Sequence, residues 1–375
     1  MNDNVFSYFH ITPDSPEWND WKWQYSHRIT TVETLSEIIH ISEKEKREIT
    51  GSLKLFKMAI TPYFASLMDP DDPSCPLRMQ AVPSINETRI EPWETKDPLS
   101  EDKNSPVPNI VHRYPDRALF LVTRQCAMLC RHCVRKRHVN KEDFPISESE
   151  KEKAIDYIVR TPQIRDVLVS GGDPLCMNDS DLEDILAKLR AIPHVEIIRI
   201  GTRTPAVLPM RITAGLLSML KKYHPVWMNL HFNHPRELTV QSRKACAALA
   251  DAGIPLGNQS VLLRNINDNT GTIKELLLKL VQARVRPYYI YQCDLYEGSE
   301  HFRTPVETGI EIIRNLTGNI SGFAIPKFVI DAPNGGGKVP LNPDFIVSLD
   351  NEKIEIRNYE GRVFTYPQPR IFNSL

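Results

Sequence analysis

The amino-acid sequence predicts an α/β fold in which parallel strands close, or nearly close, a barrel. The first observation is that short apolar runs alternate with helix-like segments from Arg117 onward. The second is that strands alternating with helices of this length form βαβ units, whose parallel sheet is buried on both faces. The third is that the repeats number six or seven, as the runs themselves show: RALFLVT, DVLVS, VEIIRI, VWMNLHF, PLGNQSVLL, RPYYIYQ and FAIPKFVID.

Two further regions flank the predicted barrel, which we place at residues 109–338. Residues 1–108 have the apolar spacing expected of helices and end in the Pro-rich linker EPWETKDPLSEDKNSPVPN. Residues 339–375 are expected to form a β-rich tail, because FIVSLDNEKIEIRNYEGRVFTYPQP alternates as antiparallel strands do, with DNE and YEG as turns. Within the barrel, Ser180 and Glu183 have the spacing of a capping box at the start of a helix.

Composition and charge exclude several kinds of partner. The formal net charge of -1 creates no overall field that would attract nucleic acid or an anionic membrane. The N-terminal stretch MNDNVFSYFHITPDSPEW has neither the basic nor the apolar region of a signal peptide, and no apolar run approaches the roughly eighteen residues of a membrane span. We therefore expect a cytoplasmic protein with no nucleic-acid and no membrane partner. The odd number of cysteines, seven, indicates reduced thiols.

Three cysteines, Cys126, Cys130 and Cys133, lie within eight residues in CAMLCRHC, directly after the predicted strand RALFLVT. Chemistry in a barrel is found at the carboxyl ends of the strands, so this loop is a candidate site. A structural zinc ion normally takes four protein ligands, and no second pair of cysteines accompanies these three. Three thiolates on a [4Fe–4S] cluster would leave its fourth iron open to a small molecule. Zinc, or a fortuitous spacing, is the alternative.

Two glycine-rich stretches follow other predicted strands. In VLVSGGDP, Gly171 and Gly172 would let a ligand approach the backbone, and Asp173 could accept a hydrogen bond from an ammonium group, although a plain turn has the same sequence. In VIDAPNGGGKVP, a pliant glycine loop would deliver Lys338 to the strand ends. Val339 excludes a phosphate-binding Walker loop, which requires Ser or Thr there. The lysine suits a Schiff base with pyridoxal phosphate (PLP), and a solvated loop lysine is the alternative.

The chain from about Trp18 to about Pro369 resembles the lysine 2,3-aminomutase family of radical S-adenosylmethionine (SAM) enzymes. The resemblance rests on the CxxxCxxC spacing and on stretches such as EWNDWKWQ, HRYPDRALFLVT, TPQIRDVLVSGGD, HFNHP, PLGNQSVLLR, VRPYYIYQCDL and DAPNGGGKVP. It implies a partial (β/α)6-type TIM barrel of the radical SAM class. It also implies an isomerase that moves an amino group between adjacent carbons, after a 5'-deoxyadenosyl radical has removed hydrogen from the substrate.

The resemblance implies three cofactors and assigns residues to each of them. A [4Fe–4S] cluster would be bound by Cys126, Cys130 and Cys133. SAM would be contacted by residues at three strand ends, namely Gly171, Gly172, Asp173, His231 and Gln259, although a buried core histidine is the alternative for His231. PLP would be attached to Lys338, with its phosphate bound by Arg113 and Arg117.

The substrate implied is a free amino acid, and charge complementarity favours L-lysine. By the resemblance, Arg135 would bind the α-carboxylate, and Asp294 and Asp331 would hold the side-chain ammonium. An acidic side chain would be repelled by two carboxylates, so glutamate is disfavoured, whereas arginine and ornithine stay open. The alternative from a different class of protein is a zinc-binding scaffold that uses the same three cysteines. Such a scaffold would not require Lys338.

Two further expectations follow from the family comparison. Many members carry a Cys-rich C-terminal extension that binds zinc at a dimer interface with a barrel cysteine. This sequence reaches Leu375 without such cysteines and has Asn269 at the barrel position, so zinc is not expected. A homo-oligomer stays possible, and the cluster would need a reducing partner such as flavodoxin or ferredoxin.

Overall fold

The computed structural model describes residues 2–140 and 145–369 and contains two sheets. The larger sheet has nine strands in the order β1 to β9, each hydrogen-bonded to its neighbours in the chain. A second sheet of three strands, β10 to β12, follows it. The strands are β1 (Ile110–Tyr114), β2 (Arg117–Thr123), β3 (Asp166–Gly171), β4 (Ile197–Thr202), β5 (Val226–Leu230), β6 (Leu256–Leu262), β7 (Arg286–Gln292), β8 (Lys327–Ala332), β9 (Gly337–Pro340), β10 (Ile346–Leu349), β11 (Lys353–Arg357) and β12 (Val363–Pro367).

The larger sheet is the predicted partial barrel. Strands β2 to β8 pair in parallel, and helices fill the six connections between them, which confirms the (β/α)6-type arrangement. Two strands that the sequence did not predict form its edges, since β1 is antiparallel to β2 and β9 is antiparallel to β8. The edges meet where the Tyr114 hydroxyl accepts a hydrogen bond from the backbone N–H of Lys338, at 3.0 Å. The curled sheet therefore nearly closes.

The helices cover the outer face of the sheet and form the N-terminal region. In the described residues they are α1 (Asp3–Phe9), α2 (Pro16–Asn19), α3 (Trp21–Ser26), α4 (Val32–Ile38), α5 (Glu43–Leu53), α6 (Pro62–Ser66), α7 (Pro76–Ala81), α8 (Lys136–Val139), α9 (Glu148–Val159), α10 (Asp179–Arg190), α11 (Thr204–Val207), α12 (Ala214–Lys221), α13 (Val240–Asp251), α14 (Thr270–Gln282) and α15 (Val306–Leu316). None of them is long and apolar enough to cross a lipid bilayer.

The outer helices form because their apolar residues recur on one face. In α10 the buried residues are Leu182, Ile185, Leu186 and Leu189, and this spacing turns a single stripe toward the sheet. The predicted capping box at its start is wrong, because α10 begins two residues earlier than the motif requires. Asn178 is the N-cap, without a side-chain cap bond, and Ser180 lies in the first turn. Glu183 instead accepts hydrogen bonds from Lys222 and Tyr223 on the surface, at 2.9 and 3.0 Å.

The barrel interior is only partly filled. Along β6, buried and half-buried residues alternate over the whole strand. The even-numbered residues Asn258 and Ser260 are buried. The odd-numbered residues Gly257, Gln259 and Val261 border an open space. A parallel strand buried on both faces would show no such alternation. The sheet therefore encloses a cavity.

The tail forms the antiparallel strands that its alternation predicts. Strand β11 pairs with β10 on one side and with β12 on the other. In the middle strand, Ile354 faces Tyr366 and Ile356 faces Phe364 across the β11–β12 pair, so these side chains share one face of the sheet. The polar residues Lys353 and Glu355 alternate with them, as expected for a sheet with one apolar face.

Candidate active site

The cavity inside the barrel has a volume of about 1490 Å³ and gathers every site residue that the sequence predicts. These residues come from both sheet edges and from the carboxyl ends of several strands between them. They are Arg113, Arg117, Cys126, Cys130, Cys133, Arg135, Gly171, Gly172, Asp173, His231, Gln259, Asp294, Asp331 and Lys338. Residues separated by more than two hundred positions in the chain therefore border one space.

The cysteine loop after β2 is held by hydrogen bonds to the N-terminal region. Arg28 donates from Nη1 to the carbonyl of Cys126 at 2.6 Å. Further along the loop, the backbone N–H of Leu129 donates to Ala59 and that of Arg131 donates to Gln80, each at 2.9 Å. These bonds fix the path of the chain on both sides of Cys130. The helical region therefore serves the site by positioning the three thiols.

A buried ion-pair group anchors the far end of the loop. Arg131 donates from Nε and Nη2 to the two oxygens of Glu87, at 2.8 and 2.7 Å, and Lys136 donates to the same carboxylate at 3.0 Å. Burial alone would raise the pKa of Glu87, but the two cations outweigh it and lower that pKa to about 2. The carboxylate is thus ionised at neutral pH and joins the loop to the segment after α7.

The three thiols are half-buried and form no disulfide. Burial raises the pKa of the Cys133 thiol to about 11 and that of Cys126 well above its ordinary value. The Cys130 sulfur accepts a hydrogen bond from Arg203 Nη1 at 2.7 Å. Within the described ranges, no group of three or more His, Cys, Asp or Glu side chains is arranged around the position of a single metal ion. An iron–sulfur cluster takes each thiolate on a different iron, so its sulfurs do not need to converge.

The two glycines after β3 are required by a close approach between backbones. A Cβ atom at Gly171 would lie 2.3 Å from the carbonyl oxygen of Thr123, and one at Gly172 would lie 2.1 Å from that of Gln125. Gly171 also has a positive φ of 128°. The sequence predicted that these glycines make room for a ligand. The structure gives a second reason, since they pack against the segment that leads into Cys126.

Asp173 joins the ends of β3 and β4. Its carboxylate accepts hydrogen bonds from the Thr202 hydroxyl at 2.7 and 2.9 Å, from the backbone N–H of Arg203 at 2.8 Å and from that of Leu175 at 3.1 Å. Burial raises the pKa of Asp173, and these donors act in the opposite direction. An ammonium group of a ligand would have to share an acceptor that the protein already uses.

Two stacked histidines lie at the cavity wall beside the cysteine loop. The rings of His132 and His231 are 5.5 Å apart, with an angle of 22° between their planes. Burial lowers the pKa of His231 to about 3 and that of His132 well below its ordinary value, so both rings are neutral at pH 7. Among the described residues, His231 Nε2 and His132 Nδ1 have no hydrogen-bond partner. Two buried polar atoms without partners fit a wall that receives a polar ligand.

Lys338 lies on a hairpin strand, which corrects the prediction of a pliant loop. The turn between β8 and β9 is tight, with positive φ at Asn334, Gly335 and Gly337 of 58°, 77° and 84°. On β9, Lys338 pairs with Asp331 of β8, and Lys338 Nζ lies 3.3 Å from Asp331 Oδ1. The lysine is thus held by both backbone and side chain at the carboxyl end of β8.

Of the two predicted phosphate ligands, the structure places Arg113 beside the lysine hairpin. A Cβ atom at Gly335 or Gly337 would lie 2.8 or 2.9 Å from its guanidinium nitrogens, so the glycines leave room for this side chain. Arg113 Nε is buried and has no hydrogen-bond partner within the described part of the chain. Arg117 is more exposed and donates to Asp116 at 2.8 Å. The guanidinium of Arg113 is therefore free to bind an anionic group beside the lysine hairpin.

The predicted substrate ligands lie within electrostatic reach of one another. Burial and the neighbouring charge of Asp331 raise the pKa of Asp294 to about 7, whereas Lys338 and Arg135 act to lower it. Arg135 donates to Glu101, a residue of the predicted linker. One cavity is thus bordered by a guanidinium and by two carboxylates, which suits a molecule carrying both charges.

Sequence reasoning missed the side chains that support the site. Arg203 follows directly after β4, so the rule that strand ends carry function would have found it. Gln80 and Glu237 hold Arg203, and Glu101 holds Arg135, but none of these acceptors follows a barrel strand. Their partners lie far away in the sequence, and no local pattern marked them.

Comparison with known proteins defines the class first. A family model described as the Radical SAM superfamily matches residues 120–277, which include the cysteine loop and strands β3 to β6. The chain is thus a radical SAM enzyme, and this class implies a [4Fe–4S] cluster and SAM. A second family model, described as Lysine-2,3-aminomutase, matches residues 313–374.

Similar proteins define the family. The L-lysine 2,3-aminomutase of Clostridium subterminale is 56% identical over 353 residues, which cover 94% of this chain and 85% of that protein. The L-lysine 2,3-aminomutase of Fusobacterium nucleatum subsp. nucleatum is 55% identical, with 94% and 83% covered. The glutamate 2,3-aminomutase of Clostridioides difficile is 47% identical, with 92% and 82% covered. The chain belongs to the lysine 2,3-aminomutase family and is an isomerase of this radical SAM type.

Proposed function

We propose that this enzyme moves the α-amino group of L-lysine to the β-carbon and so forms β-lysine. The observation that carries the proposal is that Asp294 and Asp331 border the same cavity as Lys338 and Arg135. The charge of Asp331 raises the pKa of Asp294, so the two carboxylates repel each other. They favour a substrate with a cationic side chain, because a cation relieves this repulsion. Arg135 offers a fork of donors to the α-carboxylate.

The names of the relatives agree with this choice of substrate. The two relatives at 56% and 55% identity are named for L-lysine, whereas the relative named for glutamate is 47% identical. A glutamate side chain would bring a third carboxylate to Asp294 and Asp331, and the resulting repulsion would weaken its binding. Charge and similarity therefore both favour lysine.

We assign the iron ligands to Cys126, Cys130 and Cys133, and the SAM contacts to Gly171, Gly172, Asp173, His231 and Gln259. We assign PLP to Lys338, with Arg113 and Arg117 at its phosphate. When bound, the cluster with SAM supplies an organic radical that removes hydrogen from the substrate, and PLP supplies a conjugated ring that stabilises the migrating amino group. The unpartnered atoms of His231 and Arg113 support these assignments.

Asp331 changes partner in this proposal. Its carboxylate holds the ammonium group of Lys338 at 3.3 Å, so the charges cancel. A Schiff base to a cofactor would leave the Lys338 nitrogen with fewer N–H donors than the free ammonium group has. The oxygens of Asp331 would then be available, together with Asp294, to accept hydrogen bonds from the ammonium of a substrate lysine.

We further propose the surroundings in which the enzyme works. Reduction of the cluster takes one electron from outside the chain, and flavodoxin or ferredoxin would supply it. Cysteines that must stay reduced to bind iron suit the reducing cytoplasm. Residues 109–338 would form the catalytic unit, with residues 1–108 positioning its cysteine loop and residues 339–375 as a tail that could contribute to a homo-oligomer.

The substrate is tested by competition. The protein is reconstituted without oxygen with iron, sulfide and PLP, and receives SAM, dithionite and an equimolar mixture of labelled L-lysine, L-arginine, L-ornithine and L-glutamate. We expect NMR to show a β-amino group on lysine alone. Preferred turnover of another amino acid would refute the substrate, and a loaded cluster that produces no rearranged amino acid would refute the activity.

The attachment of PLP is tested separately by borohydride reduction and mass spectrometry. We expect the wild-type chain to gain the mass of one pyridoxyl phosphate at Lys338, and Lys338→Arg to gain none. Lys327→Arg is the matched control, because Lys327 also borders the cavity but lies at the opposite end of β8. Equal labelling of Lys338→Arg and the wild type would refute the assignment.

A further inference from the structure

The side chain of Arg203 lies buried between the cysteine loop and the N-terminal region. It follows β4 directly, and only 8% of its surface is exposed. Its Nη1 atom is 2.7 Å from the sulfur of Cys130, so the guanidinium donates a charge-assisted hydrogen bond to that sulfur. None of the steps proposed above requires this contact.

The guanidinium cannot easily turn away from the sulfur, because other buried groups hold it. Arg203 Nη2 donates to Gln80 Oε1 at 2.7 Å and to Glu237 Oε1 at 3.2 Å. Gln80 in turn donates to Glu237 at 2.9 Å, which fixes both acceptors. The backbone N–H of Arg203 donates to Asp173 at 2.8 Å. Rotating the side chain would leave the guanidinium without these acceptors and the buried Glu237 carboxylate without its ion pair.

We propose that Arg203 raises the reduction potential of the cluster bound through Cys130, by stabilising the extra negative charge of its reduced state. The inference rests on the proposed function, since it takes Cys130 as an iron ligand. Reduction adds one electron from an external donor to the oxidised cluster, and no bond breaks. A fixed positive charge and a hydrogen bond at a ligand sulfur both favour the more negative state. Arg203 is thus a positioning residue that makes the cluster easier to reduce.

A purely structural role would have a different signature. Arg203 also joins the end of β4 to Gln80 of the N-terminal region. If that linkage were its whole purpose, its removal would lower stability or iron content but leave the potential of any assembled cluster unchanged. The potential is therefore the quantity that separates the two roles.

The experiment is an anaerobic redox titration of the full-length reconstituted protein, followed by the electron paramagnetic resonance signal of the reduced cluster. The variants are Arg203→Met, which removes the charge, and Arg203→Lys, which keeps a charge without the fork of donors. Arg199→Met is the matched control. Arg199 lies on the same strand and borders the same cavity, but it pairs with Asp166 at 2.8 Å, toward the opposite end of the sheet.

We expect Arg203→Met to lower the ratio of reduced to oxidised cluster at the wild-type midpoint about tenfold, which corresponds to a shift of about 59 mV for a one-electron couple. Arg203→Lys should show a smaller decrease, and Arg199→Met should change the ratio less than about twofold. A full cluster in Arg203→Met with an unchanged midpoint would overturn the proposal.

The remaining outcomes also decide the question. If Arg203→Met assembles no cluster, the midpoint of Arg203→Lys decides, and a midpoint equal to that of the wild type overturns the proposal. Folded variants that both lack a cluster would show that Arg203 acts in assembly, which also overturns it. A wild-type protein that binds no cluster would instead refute the proposed function, on which this inference depends.

Discussion

Glu101 orients Arg135 through a single oxygen atom: Oε1 accepts hydrogen bonds from Nε at 2.9 Å and from Nη2 at 2.7 Å. The carboxylate is almost fully buried, and the pair lies at the edge of the cavity. Burial would raise the pKa of Glu101, but the charge of Arg135 lowers it below its ordinary value. The guanidinium keeps other N–H donors for a substrate carboxylate, and its direction is set by a residue outside the barrel.

Removing Arg135 should therefore affect stability as well as substrate binding. We expect Arg135→Met to lower the free energy of unfolding by about 3 kcal/mol, because Glu101 would be left buried and unpaired. The double variant Arg135→Met with Glu101→Gln should recover most of this loss but should not recover lysine turnover. Urea unfolding and β-lysine formation measure the two effects. If the double variant is as unstable as the single one, the pairing is not the source of the stability.

The activity should depend on pH through Asp294. Its pKa is raised to about 7, and the ionised carboxylate binds an ammonium group better than the protonated one. We therefore expect kcat/KM for lysine to increase as pH rises from about 6 to about 8, with a midpoint near 7. Asp294→Asn should lower kcat/KM and flatten this part of the profile, because the amide does not titrate. The same rise with pH in Asp294→Asn would assign the titration to another group.

Stability in acid should depend on Glu87. Its pKa is lowered to about 2, so its ion pairs stabilise the fold fully above the unfolded value near 4.5 and are lost as pH falls toward 2. We expect Glu87→Gln to lose about 3 kcal/mol of stability at pH 7, a difference that disappears between pH 4.5 and 2. The exposed pair of Glu43 and Lys46 provides a control, and Glu43→Gln should leave the stability close to that of the wild type at every pH. Denaturant titrations at several pH values test both.

The close approach at Gly172 should be intolerant of a side chain. A Cβ atom there would lie 2.1 Å from the Gln125 carbonyl, so Gly172→Ala must displace the segment that leads into the cysteine loop. We expect a loss of about 1–3 kcal/mol of stability and a clear decrease in iron bound per chain. Gly322→Ala, where a Cβ atom meets nothing within 4 Å, is the control and should retain its iron. Normal iron content in Gly172→Ala would show that the loop adjusts.

Much of the barrel could be predicted because its strands are covered by helices, and such strands form apolar runs that local sequence reveals. RALFLVT and RPYYIYQ coincide with β2 and β7. The edge strands could not be found in this way. Strand β1 contains HRY, and β9 is short and begins at the last of three consecutive glycines, so both sequences resemble loops. Each of them pairs with its neighbour in the chain through a short hairpin turn that no apolar pattern marks.

The residues of the site also divide into those that a local sequence pattern reveals and those that it does not. The place of the cysteines, the strand-end carboxylates and Lys338 around one cavity could be predicted, because each is tied to a motif or a strand end. The buried acceptors Gln80 and Glu237 could not, because they meet Arg203 only after the N-terminal region has packed on the barrel. Hydrogen bonds between residues 123 positions apart leave no periodicity in the sequence.

The tethering of the cysteine loop to upstream residues has a consequence for how the enzyme matures. Ala59, Gln80 and Glu87 all precede Cys126 in the chain, so a ribosome releases these anchors before it makes the loop that they hold. The loop acquires its shape only once they have packed against it. We therefore expect iron insertion to follow docking of the N-terminal region, so a nascent chain that docks slowly would expose its thiols to oxygen for longer.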